Sequence, residues 1–137
     1  MPLQGLVTTG KGEGAAWTAL PWFRAALAEH FGLDPVAGTF NLTLAGPPAE
    51  LEHALLTAGT VLVPPQAAVC CSLLLPVRLL TPRTASALLV RPLVPGYDPA
   101  QVELVAADHL RRSLGLTDGD AVVFAPGPGR HGWIQGR

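Results

Sequence analysis

The sequence predicts a mainly β domain, a compact barrel with short helices appended to it. Three observations carry that expectation. Short runs rich in Val and Leu recur along the chain, and Pro or Gly cuts each one before it grows long. Segments with helical periodicity are few and short. The strands do not alternate with the substantial crossover helices that a doubly wound parallel sheet requires. At 137 residues the chain fits one domain with room for a sizeable core.

In chain order, Gln4 to Thr9 reads as a strand running into a glycine-rich loop, Gly10-Lys11-Gly12-Glu13-Gly14. Ala15 to Leu20 reads as extended. Pro21 suits the first turn of a helix in which Trp22, Phe23, Ala26, Leu27, His30 and Phe31 recur every three or four residues. That spacing turns Arg24 and Glu29 outward, makes His30 a partly buried packing residue, and leaves Gly32 as the stop. After a connector containing Pro35, Phe40, Leu42 and Leu44 alternate with Asn41 and Thr43, so Thr39, Asn41 and Thr43 share one strand face. Gly46-Pro47-Pro48 ends this strand. A short helix from Ala49 to Ala58 follows, with Leu51 and Leu55 inward and Gly59 as its cap.

The second half is more sheet-like. Thr60 to Val63, Val69 to Leu80 and Ser86 to Leu93 are strands, and Pro76 marks an edge, a bulge or a division within the middle one. Tyr97 and Asp98 fall in a Pro-Gly-rich loop before a brief strand from Val102 to Val105. Asp108 caps a helix from His109 to Leu114, and Thr117-Asp118-Gly119-Asp120 turns into a strand from Ala121 to Phe124. Residues 125–137 lack a periodic apolar face and are expected to form a flexible tail, with Trp133 and Ile134 docking locally.

Composition excludes several classes. Nine Lys plus Arg against ten Asp plus Glu give a net charge of -1 without a basic cluster, which argues against nucleic acid as a partner. No apolar run approaches the roughly 20 residues that a bilayer span needs. Met1-Pro2-Leu3-Gln4 has neither a basic nor an apolar leader region, and the adjacent Cys70 and Cys71 would point to opposite strand faces. A soluble protein in the cytoplasm is the expectation. An oligomeric contact cannot be located from the apolar content.

Three groups of residues carry candidate chemistry. Gly10, Gly12 and Gly14 let backbone amides converge on an anion beside Lys11, or form a plain turn; the Walker ending is absent. Thr39 and Asn41 offer neutral oxygens on one face, adequate for Mg²⁺ when phosphates supply the charge, or ordinary strand-surface groups. Glu103, between the inward Val102 and Leu104, is either a rigidly held carboxylate that orients a hydroxyl or a solvated acid. Dispersed His30, His53, His109 and His131 give no zinc spacing, and Ser72, Ser86 and Ser113 lack nucleophile-elbow surroundings.

Taken in order, Gly10 to Gly14, Leu20-Pro21, Gly32, Pro35, Gly38-Thr39-Phe40-Asn41-Leu42 and Asp108-His109-Leu110-Arg111 resemble the archaeal CTP-dependent riboflavin kinase family, from about Gly5 to Phe124. The resemblance implies a six-stranded cradle-loop, or RIFT-type, barrel over residues 1–124. It also implies Mg²⁺-dependent transfer of the CTP γ-phosphate to riboflavin, giving FMN and CDP. Carried over by position, nucleotide binding falls on Gly10, Lys11, Gly12, Glu13, Gly14 and Ala15, with a second segment at Asp108, His109, Leu110 and Arg111. Metal binding falls on Thr39 and Asn41. Glu103 is implied as the flavin contact that orients the accepting hydroxyl and takes its proton. Pro95 stands where a flavin-contacting Thr is usual, and Ala15 where relatives carry a larger or basic residue. A helix-turn-helix module, which some relatives add, is not expected. The alternatives are a flavin- or nucleotide-binding regulatory barrel without turnover, and a kinase using another pyrimidine nucleotide or flavin-like alcohol.

Overall fold

Alternating inward apolar residues let each strand bury one face, and a ring of such strands closes without exposed edges. In the computed structural model, which describes residues 2–10, 14–67 and 69–137, that ring has six strands. They are β1 (Leu3–Thr8), β2 (Phe40–Leu44), β4 (Ser72–Thr81), β5 (Ala85–Pro92), β6 (Gln101–Val105) and β7 (Ala121–Pro126), while β3 (Thr60–Val63) and β8 (Gly132–Gln135) lie outside it. The order β5-β6-β2-β1-β7-β4 closes because β4 also pairs with β5, and every pairing in the ring is antiparallel. This is the expected barrel with short appended helices.

Among the described residues four helices complete the fold: α1 (Gly14–Thr18), α2 (Pro21–Phe31), α3 (Ala49–Ala58) and α4 (Leu110–Ser113). Val7, Leu42, Leu104 and Phe124 point into the barrel, and α3 adds Leu51 and Leu55 to the same cluster. A second cluster joins Phe23 and Leu27 of α2 to Leu74, Leu88 and Val90 on the outer faces of β4 and β5. The consecutive Leu88-Leu89-Val90 is buried throughout because Leu89 faces the barrel interior and its neighbours face α2. Gly32 ends α2 with φ 62°, a left-handed conformation that glycine adopts without a Cβ penalty.

Several expectations are corrected. Residues 14–18 are helical rather than extended, because the Thr18 hydroxyl donates to the Gly14 carbonyl at 2.6 Å and closes a turn. His30 is exposed beside Glu29 rather than packed. Pro76 does not divide β4. It falls where one edge of the strand passes from β3 to β7, so its missing N–H interrupts neither ladder. α4 starts at Leu110 with His109 as its N-cap, and Asp108 Oδ1 accepts the His109 backbone N–H. The segment expected as a flexible tail carries β8, which pairs in parallel with β3. Among the described residues no helix is long and apolar enough to cross a membrane.

Candidate functional site

Strand register builds the centre of the site. In the antiparallel ladder Thr8 of β1 faces Asn41 of β2, and Asn41 faces Glu103 of β6. Residues paired across strands share a face. Their strand neighbours Val7, Leu42, Val102 and Leu104 fill the barrel, so Thr8, Asn41 and Glu103 form a polar row on the opposite, outer face. That row lies in a cleft of about 670 Å³, a volume suited to a small-molecule ligand.

The glycine loop meets this row at both of its described ends. A Cβ added to Gly10 would lie 2.5 Å from Asn41 Nδ2, and one added to Gly14 would lie 2.8 Å from Thr39 Oγ1. Glycine at these two positions therefore lets backbone lie directly on the Thr39 and Asn41 side chains. Lys11, Gly12 and Glu13 lie outside the described residues. Thr18, fully buried, ties the start of α1 to the segment that carries Thr39 into β2: its hydroxyl donates to the Gly14 carbonyl and accepts the Gly38 N–H at 3.0 Å.

Thr39 Oγ1 donates to Asn41 Oδ1 at 3.2 Å, and Asn41 Nδ2 donates to the Thr39 carbonyl at 3.1 Å. Two hard oxygens at that separation fit adjacent corners of an octahedral Mg²⁺ shell, where oxygens about 2.1 Å from the ion lie roughly 3.0 Å apart. Among the described residues no group of three or more His, Cys, Asp or Glu could hold an ion. A cation at Thr39 and Asn41 would take its charge balance from a bound anion.

Glu103 is only 9% exposed, and the Tyr97 hydroxyl donates to its Oε2 at 2.5 Å. Burial first, then the hydrogen bond and charge of Glu103, push the Tyr97 phenol far above its usual range. The Arg91 guanidinium lies over the Tyr97 ring at 5.7 Å. Tyr97 and Arg91 were not singled out by the sequence; a buried Arg within an apolar strand run is the signal that could have found the latter.

The remaining expected residues line the same cleft. Ala15 stands at the start of α1, Pro95 in the loop after β5, and Asp108, His109, Leu110 and Arg111 at the entry to α4. Arg111 Nη1 pairs with Asp118 Oδ1 at 2.8 Å, while Thr9 Oγ1 donates to Asp118 Oδ2 at 2.8 Å. Asp118 thus ties the approach to the glycine loop to α4. The Thr9 hydrogen bond, followed by that of Arg111, holds its carboxyl below the usual range. Asp118 read as a turn residue in the sequence, and nothing local reveals its link to Thr9.

The cleft therefore joins a glycine-lined end, a pair of neutral oxygens, a buried carboxylate and an exposed Arg. Comparison with known proteins bears on what such a cleft is for. A family model named CTP-dep_RFKase, described as "Domain of unknown function DUF120", matches residues 7–125. The chain is similar to a riboflavin kinase of Methanocella arvoryzae, 34% identical over 120 residues, which are 88% of this chain and 54% of that protein. It is also similar to riboflavin kinases of Ignicoccus hospitalis, 31% identical with 88% and 68% covered, and of Saccharolobus solfataricus, 28% identical with 89% and 71% covered. The chain spans about half the length of the Methanocella protein.

Proposed function

The chain belongs to the CTP-dep_RFKase family, and from that premise we propose that it is a CTP-dependent riboflavin kinase, transferring the γ-phosphate of CTP to riboflavin to give FMN and CDP. The observation that carries this reading is the meeting of Gly10 and Gly14 with Asn41 and Thr39 in one cleft with Glu103. That arrangement supports a reading in which the glycine loop binds the phosphate donor and Glu103 serves the accepting hydroxyl.

In this reading the segment Gly10 to Ala15 cradles the nucleotide phosphates, and Asp108 to Arg111 contacts the nucleotide from α4. Lys11 and Arg111 offset phosphate charge. Thr39 and Asn41 would hold Mg²⁺ through their oxygens; bound there, the ion offsets charge on the phosphoryl group in flight. Glu103 orients the riboflavin hydroxyl and takes its proton as the new O–P bond forms and the bond to CDP breaks. Positioning matters more than basicity here, because a loose phosphoryl transition state asks little deprotonation of the nucleophile. The Pro95 loop supplies the acceptor side without the hydroxyl that a Thr would bring.

The test is chromatographic. Protein incubated with riboflavin, Mg²⁺ and CTP, beside reactions with ATP, GTP or UTP, is expected to form FMN and CDP together with CTP as the preferred donor. Folded protein that binds flavin or nucleotide yet forms no product with any donor would replace this reading with a binding-only barrel.

A further inference from the structure

We propose that Tyr97 is a positioning residue of the acceptor side, fixing the Glu103 carboxylate through its hydroxyl while Arg91 fixes the Tyr97 ring. This rests on the reading that Glu103 orients the accepting hydroxyl. A glutamate on a rigid strand still rotates about its side-chain torsions, so strand geometry alone does not aim its oxygens. The Tyr97 hydroxyl, donating at 2.5 Å to Oε2, supplies one such constraint. It is the only hydroxyl between Leu93 and Pro99.

Tyr97 is itself held from behind. The loop turns through Gly96 at φ 78°, a conformation favouring glycine, and returns Tyr97 toward β6. Arg91 lies over the ring, forms an ion pair with Glu52 of α3, and donates from Nη2 to the Pro99 carbonyl at 3.1 Å. At 7% exposure Arg91 has little freedom to leave these partners. A continuous set of contacts therefore runs from α3 through β5 and the acceptor loop to the carboxylate. The raised pKa of the phenol keeps Tyr97 a proton donor throughout the neutral range.

The test compares wild type, Tyr97→Phe, Glu103→Gln and the double variant, with initial rates measured against riboflavin and CTP separately. Phe keeps the ring under Arg91, so the variant is expected to fold, with a thermal midpoint lowered by the loss of one buried hydrogen bond. Hydrogen bonds to charged groups are worth enough that kcat/KM for riboflavin should fall about tenfold or more in Tyr97→Phe. KM for CTP should stay within about twofold, and the double variant within about twofold of Glu103→Gln, because the two residues act as one unit. Wild-type kinetics in Tyr97→Phe, equal losses toward both substrates, or losses that multiply in the double variant would overturn the assignment. If the wild type forms no FMN, the kinase reading falls and this inference with it; an active wild type with an unaffected Phe variant removes the inference alone.

Discussion

Replacing Gly10 by alanine puts a methyl group 2.5 Å from Asn41 Nδ2 and 2.9 Å from Asn41 Cγ. Non-bonded heavy atoms settle at about 3.5 Å or more, so the amide must retreat by about 1 Å. Overpacking of this kind costs on the order of 1–3 kcal/mol, and the half-buried Asn41 can rotate, which favours the low end. Losing the bond from Asn41 Nδ2 to the Thr39 carbonyl adds about 1 kcal/mol. The sum, about 2 kcal/mol, corresponds to a fall in thermal midpoint of roughly 5 to 8 °C for a chain of this length. Turnover should suffer far more, because a displacement of about 1 Å at a positioning group costs on the order of a hundredfold. Gly46→Ala is the control, since nothing lies within 4 Å of its added Cβ, and it should match wild type in both measurements. Differential scanning fluorimetry and steady-state FMN formation read the two effects. Wild-type turnover in Gly10→Ala would refute the idea that the loop's approach to Asn41 matters to the chemistry.

Three further outcomes follow from the same contacts. Asn41→Ala should lower turnover and raise the Mg²⁺ concentration needed for half-maximal rate while moving the thermal midpoint little; unchanged Mg²⁺-dependent kinetics would remove Asn41 from metal binding. Asp118→Asn should destabilise the fold at neutral pH, and the difference from wild type should vanish in acid. The folded carboxyl titrates below its ordinary 3.8, so its contribution is present above that value and is lost as pH falls through the lowered one; a denaturation difference that persists in strong acid would contradict this. Tyr97 is the only tyrosine, so tyrosinate absorbance reports it alone. Its folded pKa is raised, which makes its contribution complete below 10.0 and lost as pH rises past that value. The phenolate signal should therefore appear only with unfolding, and ionisation of the folded protein near pH 10 would refute the buried contact with Glu103.

The barrel was legible because period-two alternation is local. Phe40, Leu42 and Leu44 announce which face of β2 is buried, and the same pattern places Asn41 outward before any partner strand is known. What alternation does not encode is register, and the row Thr8, Asn41 and Glu103 exists only through pairing of β1, β2 and β6. The five-residue α1 escaped notice because its turn is set by Thr18, whose partners include Gly38, twenty residues away. β8 was missed for a similar reason. Its short sequence lacks a buried stripe, and its order comes from pairing with β3 and from the Thr60 hydroxyl donating to the Arg130 carbonyl. Within the site, glycines, Thr39, Asn41 and Glu103 carry recognisable chemistry in sequence. Tyr97, Arg91 and Asp118 acquire theirs from contacts across loops and strands.

The most direct test of the central claim follows the phosphate itself. CTP labelled at its terminal phosphate, incubated with the protein, riboflavin and Mg²⁺, should yield label in FMN in equal amount to CDP formed. Label appearing only as inorganic phosphate, with CDP but no FMN, would contradict transfer to the flavin and show that water rather than riboflavin receives the phosphoryl group.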